Sequence, residues 1–252
     1  MKYARAEHNG QIHHAIVEND DLILLSSDPI TDPSAAPTGQ RVKLADARLL
    51  APCVPGKVVA IGINYRDHAG EMGHELPEDP VIFLKPPSSV IGPGDEIVRP
   101  AQSQRVDHEA ELALVIGKTC KNVAAADAAQ YIFGYTCCND VTARDLQKKD
   151  GQWTRGKGFD TFCPLGPWIV TELDNGNADV ESRLNGEVKQ HSNTKYLINP
   201  IGRLIEFVSA VMTLLPGDVI TTGTPSGIGP MQSGDVIEVE VTGIGTLRNT
   251  VR

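Results

Sequence analysis

The stretch Asp107-His-Glu-Ala-Glu111, continued by Leu112-Ala-Leu-Val-Ile116, places acidic side chains at the start of an uninterrupted apolar run. Side chains two apart on a β-strand point to the same face, so the pattern predicts that Glu109 and Glu111 converge. The apolar run that follows them predicts a strand that enters the core. A solvated strand edge is the alternative interpretation of the acidic pair, and the apolar run argues against it.

A third carboxylate follows a second apolar strand. Asp140 comes after the predicted strand over residues 131–138 and before a predicted helix over residues 141–149. Along such a helix Asp140, Arg144 and Gln147 fall at i, i+4 and i+7, so a carboxylate, a guanidinium and an amide share one face. The alternative role of Asp140 is the helix N-cap. A set of three carboxylates with no cysteine suits a hard divalent cation, Mg²⁺ or Mn²⁺.

A histidine and a glutamate lie three residues apart in the segment Asn64–Gly73. On a helix the side chains of His68 and Glu71 would touch. A carboxylate beside an imidazole orients the ring and stabilises its protonated form, as a general base requires. Gly70 and Gly73 favour a hinge, so we expect this segment to act as a lid. An ordinary pair on the protein surface is the alternative interpretation.

Composition excludes several classes of function. The chain has 252 residues, with 23 Lys and Arg against 32 Asp and Glu, and its net charge is −9. An acidic chain of this kind is not expected to bind nucleic acid or an anionic membrane. The polar N-terminal residues carry no signal-peptide pattern, and no apolar run has the length of a membrane span. The five cysteines include no C-x-x-C motif. We therefore expect free, mostly buried thiols and a cytoplasmic location.

The pattern of apolar residues and turns predicts the organisation of the chain. Residues 1–50 predict a small β-rich module, in which the Asn9-Gly10 turn joins two strand-like segments. Residues 51–252 predict one larger domain with many short strands, a short helix over residues 124–130 and a long helix over residues 199–215. Many strands, few helices and no regular β-α alternation predict an α+β fold that is mostly antiparallel.

Taken in chain order, these segments resemble the fumarylacetoacetate hydrolase family. The resemblance covers roughly residues 57–252, and the ordered set of motifs is highly specific. The motifs are Val59–His68, Phe83-Leu-Lys-Pro-Pro87, Asp107–Glu111, Asn139–Gln147, Lys157–Thr161 and Thr222–Gly229. The first fifty residues resemble the small N-terminal module of the short bacterial members.

The resemblance implies the family's mixed β-sandwich roll, a homodimer and a small oxo-acid substrate. By position in the motifs it implies metal ligands at Glu109, Glu111 and Asp140. It implies catalytic groups at His68, Glu71, Lys157 and Gln147, of which the last two bind substrate oxygens and the developing oxyanion. It implies substrate contacts at Arg144, Gly223 and Thr224. Long animal members carry an additional Asp ligand, and Asn64 occupies that neighbourhood here, so we expect a water to complete the metal shell.

Three kinds of function are compatible with this resemblance. The first is a metal-dependent hydrolase or decarboxylase that breaks C–C bonds in small 2-oxo or 2,4-dioxo acids of the acylpyruvate, fumarylpyruvate or oxaloacetate type. The second is an isomerase of aromatic catabolism, of the 2-hydroxyhepta-2,4-diene-1,7-dioate or 5-carboxymethyl-2-hydroxymuconate type. The third is a catalytically idle dimer that binds oxo acids. We expect specificity to reside in residues 66–80 and 151–155, where Trp153 either packs on a substrate tail or anchors the core or an interface.

Overall fold

The first two strands are joined by the turn that the sequence predicts. The structure is a computed structural model that describes residues 1–67 and 77–252. Strands β1 (Lys2–His8) and β2 (Gln11–Glu18) flank Asn9 and Gly10, whose φ angles are 51° and 75°. Positive φ at both positions is typical of a type I′ turn, whose twist matches that of the flanking strands. The predicted hairpin is confirmed.

The remaining strands follow in chain order. Those in the first fifty residues are β3 (Asp21–Leu25), β4 (Pro37–Lys43) and β5 (Arg48–Leu50). The middle of the chain contributes β6 (Val58–Gly62), β7 (Val81–Lys85), β8 (Val90–Ile91), β9 (Glu96–Ile97), β10 (Val106–His108), β11 (Ala110–Ile116), β12 (Ile132–Asn139), β13 (Thr142–Ala143) and β14 (Cys163–Val170). The last part contributes β15 (Asp179–Leu184), β16 (Glu187–Asn193), β17 (Val219–Thr221), β18 (Gly229–Pro230), β19 (Val236–Val241) and β20 (Gly245–Val251).

The largest sheet has twelve strands and includes the N-terminal ones. Its order is β4-β3-β2-β1-β14-β12-β11-β17-β6-β7, with β5 beside β1 and β8 beside β14. Because Lys2 pairs with Val170 and Tyr3 with Ile169, the N-terminal strands extend the sheet of the larger region. A second sheet has the order β16-β15-β19-β20-β9, and a short third one has the order β13-β10-β18.

Most strand pairs run antiparallel. The parallel pairs are β6 with β17, β8 with β14 and β9 with β20. The other pairs within the described ranges are antiparallel, and the sheets do not close into a barrel. The predicted α+β class, with a mostly antiparallel mixed β-sandwich roll, is confirmed.

Strand β11 lies inside the large sheet, between β12 and β17, and all of its residues are buried. Its side chains alternate between two apolar clusters. Leu112 and Leu114 belong to the cluster that contains Val239 of the second sheet, whereas Ala113 and Val115 belong to the other cluster. Burial on both faces explains why the run is continuously apolar rather than alternating. The two glutamates of the opening motif therefore stand at the entrance of a fully buried strand.

Helices are few and short in the part of the chain that the structure describes. The α-helices are α1 (Arg144–Asp150), α2 (Thr154–Lys157) and α3 (Ile201–Val211). Segments of 3₁₀-helix lie at Leu44–Asp46, Pro87–Ser89, Ala125–Tyr131 and Thr194–Tyr196. The helix predicted over residues 124–130 is thus a 3₁₀-helix shifted by one residue.

The helix predicted over residues 141–149 begins later than expected. Thr142 and Ala143 form strand β13, because they pair with Asp107 and Val106 of β10. The helix α1 starts only at Arg144, and its N-cap residue Ala143 provides no side-chain cap. Both predictions for the preceding carboxylate, a place on the helix face and an N-cap role, are therefore wrong. The ladder with β10 overrides the local helical pattern.

The helix predicted over residues 199–215 is shorter at both ends. The backbone N–H of Asn199 donates to Oδ1 of Asn64 at 2.8 Å, and Pro200 is the N-cap residue of α3. At the other end Leu214 exchanges two backbone hydrogen bonds with Cys120, of 2.9 and 3.0 Å. Contacts with residues distant in the chain therefore end this helix on both sides.

Candidate active site

Backbone pairing brings the three acidic residues together. Strands β11 and β12 are antiparallel, with Ala110 opposite Asn139. The residue that follows β12 is Asp140, whose backbone N–H donates to the carbonyl oxygen of Glu109 at 2.9 Å. The N–H of Glu109 in turn donates to Oδ1 of Asn139 at 2.9 Å. The register of two strands, rather than a helix face, thus places Asp140 beside Glu109 and Glu111.

The three carboxylates form a compact and buried cluster. One ligand atom from each of Glu109, Glu111 and Asp140 lies within 4.8 Å of the others. Their exposed fractions are 4%, 1% and 0%. Burial, and next the charges of Asp140 and Glu109, raise the pKa of Glu111 well above its usual range. The structure brings together the predicted acidic residues in an arrangement that favours a bound cation.

Lys157 contacts two members of this acidic cluster. Its Nζ lies 2.8 Å from Oε2 of Glu109 and 2.6 Å from Oδ2 of Asp140, and its side chain is almost fully buried. Burial alone would lower the pKa of Lys157, but the charges of Asp140 and Glu109 raise it above the usual value. Helix α2 supplies this residue, so the short helix positions an ammonium group directly on the cluster.

A second buried lysine supports the same cluster from β7. Nζ of Lys85 lies 2.5 Å from Oδ1 of Asp140, and it also donates to the carbonyl oxygen of Lys157 at 2.7 Å. Lys85 belongs to the motif Phe83-Leu-Lys-Pro-Pro87, but the sequence alone predicts no role for it. A lysine at the end of an apolar strand is the sequence signal that could have indicated this role, because such a strand is expected to lie in the core, where charged residues are rarely buried without a partner.

Arg144 connects the acidic cluster to the amide of Gln147. Its Nε donates to Oδ2 of Asp107 at 2.9 Å, its Nη2 pairs closely with Oε1 of Glu109, and its Nη1 donates to Oε1 of Gln147 at 2.7 Å. Burial opposes the charged form of Arg144, but Glu109 and Asp107 raise its pKa above the usual value. Arg144 and Gln147 are three residues apart on α1, and their guanidinium and amide groups are in contact, as the sequence predicts.

The donor set fits a hard divalent cation. Glu109 and Asp140 are already paired with Lys or Arg side chains, whereas Glu111 forms no ion pair among residues 1–67 and 77–252. A cation bound to all three carboxylates would compensate the charge of Glu111 as well. Oxygen ligands without sulfur or imidazole are those that Mg²⁺ and Mn²⁺ prefer.

A pocket of about 310 Å³ opens beside the cluster. Its ionic and polar lining residues include Glu109, Glu111, Arg144, Gln147, Lys148, Lys157 and Thr224. The other lining residues are Ile61, Gly62, Ile63, Gly151 and Trp153. Six of the ten residues that the sequence predicts for the site thus share one pocket. Asp140 is fully buried and is not one of the described residues that line it.

Thr224 is held in the pocket wall by a buried glutamine that sequence analysis missed. Oε1 of Gln190 accepts from the N–H of Ala110 at 2.9 Å, and its Nε2 donates to the carbonyl oxygen of Pro225 and to Oγ1 of Thr224, both at 2.8 Å. The hydroxyl of Thr224 donates in turn to the carbonyl oxygen of Ala110 at 2.9 Å. Gln190 lies on β16, far away in the chain, and its sequence neighbours carry no signal for this role.

Gly223 contacts the acidic cluster through its backbone. Its N–H donates to Oε2 of Glu111 at 2.9 Å. The φ angle is 91°, and a Cβ atom there would lie 2.8 Å from Cβ of Asn64, so both the conformation and the space favour glycine. The structure places Gly223 beneath the predicted ligand Glu111, and it is not one of the described residues that line the pocket.

Asn64 has a structural role next to the site. Its Nδ2 donates to the carbonyl oxygens of Thr222 at 2.8 Å and Asn199 at 3.1 Å. Its Oδ1 accepts from the backbone N–H of Asn199. These bonds occupy the amide group of Asn64, so it does not take the place of an additional acidic ligand.

The predicted catalytic pair lies outside the described residues. His68 and Glu71 fall in residues 68–76, and their roles remain predictions. Just before them, Oδ2 of Asp67 accepts a hydrogen bond from Oγ of Ser226 at 2.8 Å.

The cysteines and the helices bear on two further expectations. All five cysteines are free and buried, as predicted. The shortest contact recorded between thiols joins Sγ of Cys138 and Sγ of Cys163, which are 3.9 Å apart. Within the ranges that the structure describes, no helix has both the length and the apolar character that crossing a bilayer requires.

Comparison with protein families identifies two matching regions. Residues 57–252 match the model described as fumarylacetoacetate (FAA) hydrolase C-terminal. Residues 1–52 match a model described as Rv2993c-like, N-terminal. The first match covers most of the chain and contains every residue proposed for the site.

Three similar proteins have informative names. One is 5-carboxymethyl-2-hydroxymuconate delta-isomerase from Mycobacterium smegmatis, whose sequence is 50% identical to this chain. Its crystal structure matches with a TM-score of 0.94, and the match covers 100% of this chain and 99% of that one. The mitochondrial oxaloacetate tautomerase FAHD2B of Homo sapiens is 46% identical over 82% of this chain and 70% of its own length. Maleylpyruvate hydrolase from Sphingobium sp. SYK-6 is 33% identical in sequence. Its crystal structure, in complex with manganese(II) and pyruvate, matches with a TM-score of 0.83 over 100% of this chain and 98% of that one.

Proposed function

This chain belongs to the fumarylacetoacetate hydrolase family, and from that membership we propose that it is an enzyme acting on small 2-oxo acids through their enolate forms. The acid is proposed to bind to a divalent cation, Mg²⁺ or Mn²⁺, held by Glu109, Glu111 and Asp140. The observation that carries the proposal is this buried carboxylate cluster, two members of which line a pocket together with Arg144 and Lys157. When bound, the cation would act as a Lewis acid that stabilises the enolate oxygen.

The cationic side chains support the binding of an anionic substrate. The whole chain is acidic, so it does not attract an anion by its net charge. Arg144 and Lys157 provide local positive charge at the pocket. Gln147 adds a neutral donor, because its Oε1 already accepts from Arg144 and, among residues 1–67 and 77–252, its amide N–H groups have no partner and can bind a substrate oxygen. These three side chains are proposed to orient the acid and to stabilise negative charge on its oxygens.

The hydroxyl of Thr224 supports recognition of an enol. Its proton is used in the bond to Ala110, and one of its lone pairs accepts from Gln190. The remaining lone pair can only accept a hydrogen bond. The backbone partners of Gln190 fix which end of its amide faces Thr224, so this assignment of donor and acceptor does not depend on an arbitrary side-chain flip. The O–H group of an enol is a hydrogen-bond donor, so it can bind this remaining lone pair of Thr224 Oγ1.

We propose proton transfer between the keto and enol forms as the first reaction. The similar oxaloacetate tautomerase and muconate isomerase both have names that describe such rearrangements, and both are more similar to this chain than the maleylpyruvate hydrolase. In this reaction His68, supported by Glu71, is proposed to exchange the proton at C3 of the acid. Lys157 and Gln147 are proposed to hold the enolate oxygen while the proton moves.

Cleavage of a C–C bond is the second candidate, by hydrolysis of a 2,4-dioxo acid or by decarboxylation of oxaloacetate. The similar maleylpyruvate hydrolase, whose structure contains manganese and pyruvate, favours it. In a hydrolase His68 would remove a proton from the attacking water, and in a decarboxylase no water attacks. Both reactions leave the same enolate, so they need the same cation and the same oxygen-binding groups.

The two candidates are separated by direct assays on one preparation. Protein treated with EDTA is given Mg²⁺ or Mn²⁺, and three reactions are followed beside the metal-only background. These are decay of enol oxaloacetate, formation of pyruvate from oxaloacetate and loss of acetylpyruvate. The first proposal expects metal-dependent decay of the enol. Cleavage of acetylpyruvate or release of pyruvate without faster enol decay would favour the second candidate, and inactivity in all three assays would contradict both.

A variant links the activity to the acidic cluster. Glu109→Gln keeps the size of the side chain but removes one charged ligand, so metal-dependent turnover is expected to be lost. Glu187→Gln is the matched control, because the side chain of Glu187 is 74% exposed and pairs with Lys189 at 2.8 Å. Equal loss in both variants would show that the effect does not arise at the site.

We also propose that the protein forms a homodimer. Strand β7 is at the edge of the large sheet, and its residue Leu84 is 48% exposed. An apolar residue on an open edge strand favours burial against another chain. Sedimentation equilibrium at several concentrations tests this, and a single species of 27.1 kDa would contradict it.

A further inference from the structure

Part of the pocket lining provides carbon surface and no catalytic group. Ile61, Ile63 and Trp153 line the pocket beside the charged residues. None of them has a role in holding the cation, the enolate oxygen or a proton in the proposed function. An apolar lining next to a charged one is typical of a site that binds a ligand with an anionic head and a carbon tail.

The indole of Trp153 is fixed in this lining. Its ring meets the ring of Phe83 edge-on, with centroids 5.2 Å apart and an interplanar angle of 73°. It also lies against the backbone of Gly62, where a Cβ atom would come within 2.4 Å of the indole atom Cζ3. The carbonyl oxygen of Trp153 accepts from the N–H of Lys157 at 2.9 Å. Trp153 is thus attached to the helix that carries Lys157, and it cannot retreat toward β6.

Ile63 is held in the lining at the expense of backbone strain. Its φ angle is 56°, a left-handed conformation that a β-branched residue rarely adopts. The next residue, Asn64, is fully buried and fixed by hydrogen bonds to Thr222 and Asn199. Such strain persists only where the surroundings impose it, and it is concentrated at functional sites.

We propose that Trp153 and Ile63 determine substrate specificity by limiting the length of the carbon chain beyond C3 of the 2-oxo acid. This inference rests on the proposed function, since it assumes that the acid head binds at the carboxylate cluster. The pocket volume of about 310 Å³ is at the lower end of the range of small-molecule sites, so the apolar side chains of its lining lie close to any tail that enters it. Because Phe83 and Gly62 hold the indole in place, Trp153 blocks the binding of an acid with a longer carbon tail.

Calorimetric binding of a homologous series to the manganese-loaded protein tests the inference without relying on turnover. The ligands are 2-oxobutanoate, 2-oxohexanoate and 2-oxooctanoate. The unchanged protein is expected to bind the shortest acid and to lose affinity as the chain lengthens. In Trp153→Ala the order reverses, and each methylene group that gains space raises affinity about fourfold. The affinity for 2-oxobutanoate is expected to change little.

Two further variants make the outcome decisive. Ile63→Gly removes the other part of the wall and suits the left-handed backbone, so it serves if Trp153→Ala does not fold. Arg155→Ala is the matched control, because Arg155 lies two residues from Trp153 but pairs with Asp150 outside the pocket lining. An unchanged chain-length profile in both wall variants would overturn the inference. Failure of every acid, including 2-oxobutanoate, to bind the unchanged protein would instead overturn the proposed function.

Discussion

The side chains of Lys85 and Asp140 form an ion pair from which solvent is excluded, with Nζ of Lys85 2.5 Å from Oδ1 of Asp140 and no exposed surface on either side chain. The same ammonium donates to the carbonyl oxygen of Lys157 at 2.7 Å. One buried cation therefore positions a proposed metal ligand and the helix that carries Lys157. A charge in this position is favourable only while its partners remain in place, because an unpaired buried charge is strongly destabilising.

Lys85→Met is expected to lower the free energy of unfolding by about 3 kcal/mol, because it leaves part of the Asp140 charge uncompensated in the interior. Denaturant titration of the metal-free protein measures this. Lys43→Met is the matched control: its partner is Asp21, its side chain is 63% exposed, and little change in stability is expected. Equal stability losses in the two variants would contradict the structural role of Lys85.

Glu111→Gln is expected to separate metal binding from folding. Glu111 is buried, its carboxylate forms no ion pair with Lys or Arg in the described parts of the chain, and two other carboxylates are close to it. Removing its charge therefore should not destabilise the metal-free protein. The metal-free variant is expected to melt at or above the temperature of the unchanged protein, but to lose the rise in melting temperature that Mn²⁺ produces. A full Mn²⁺-induced rise in this variant would remove Glu111 from the ligand set.

Arg144→Lys is expected to weaken both folding and substrate use. A lysine cannot bridge Asp107, Glu109 and Gln147 at once, because it lacks the planar guanidinium fork. The loss of one or two of these charge-assisted hydrogen bonds, of about 1.5–3 kcal/mol each, lowers the free energy of unfolding. Because Glu109 and Gln147 lose the partner that positions them, we also expect kcat/KM to fall about tenfold or more. Steady-state kinetics with Mn²⁺ measures it. Arg155→Lys, at the exposed pair with Asp150, should leave kcat/KM unchanged.

Gln190→Glu is expected to disturb the position of Thr224. The replacement keeps an acceptor for Ala110 but places a second oxygen against the carbonyl of Pro225, where the structure has a donor. We expect a loss of stability of about 1–3 kcal/mol, together with a higher KM for the oxo acid. Gln130→Glu, on an exposed segment, is the control for the change in charge. An unchanged KM would show that Gln190 does not position Thr224.

Much of the fold follows from patterns that act over a few residues. Asn9-Gly10 predicts its hairpin because both residues tolerate positive φ, and the structure has that turn. The apolar run after Glu111 predicts a buried strand, and every residue of β11 is buried. Glu109 and Glu111 could be predicted to converge because only one residue separates them. In each case the information lies in neighbouring residues, to which the alternation of a strand or the geometry of a turn directly responds.

The sequence by itself thus determined the fold class, the central strand and the identity of the acidic residues. Only the tertiary structure decided how they meet. Asp140 joins the cluster through strand register and not through a helix face, because pairing of Thr142 and Ala143 with β10 delays the helix. Lys85 reaches Asp140 across 55 residues, and Gln190 reaches Ala110 across 80. Contacts of this kind depend on which distant strands pack together and in which register, and no pattern of neighbouring residues specifies that.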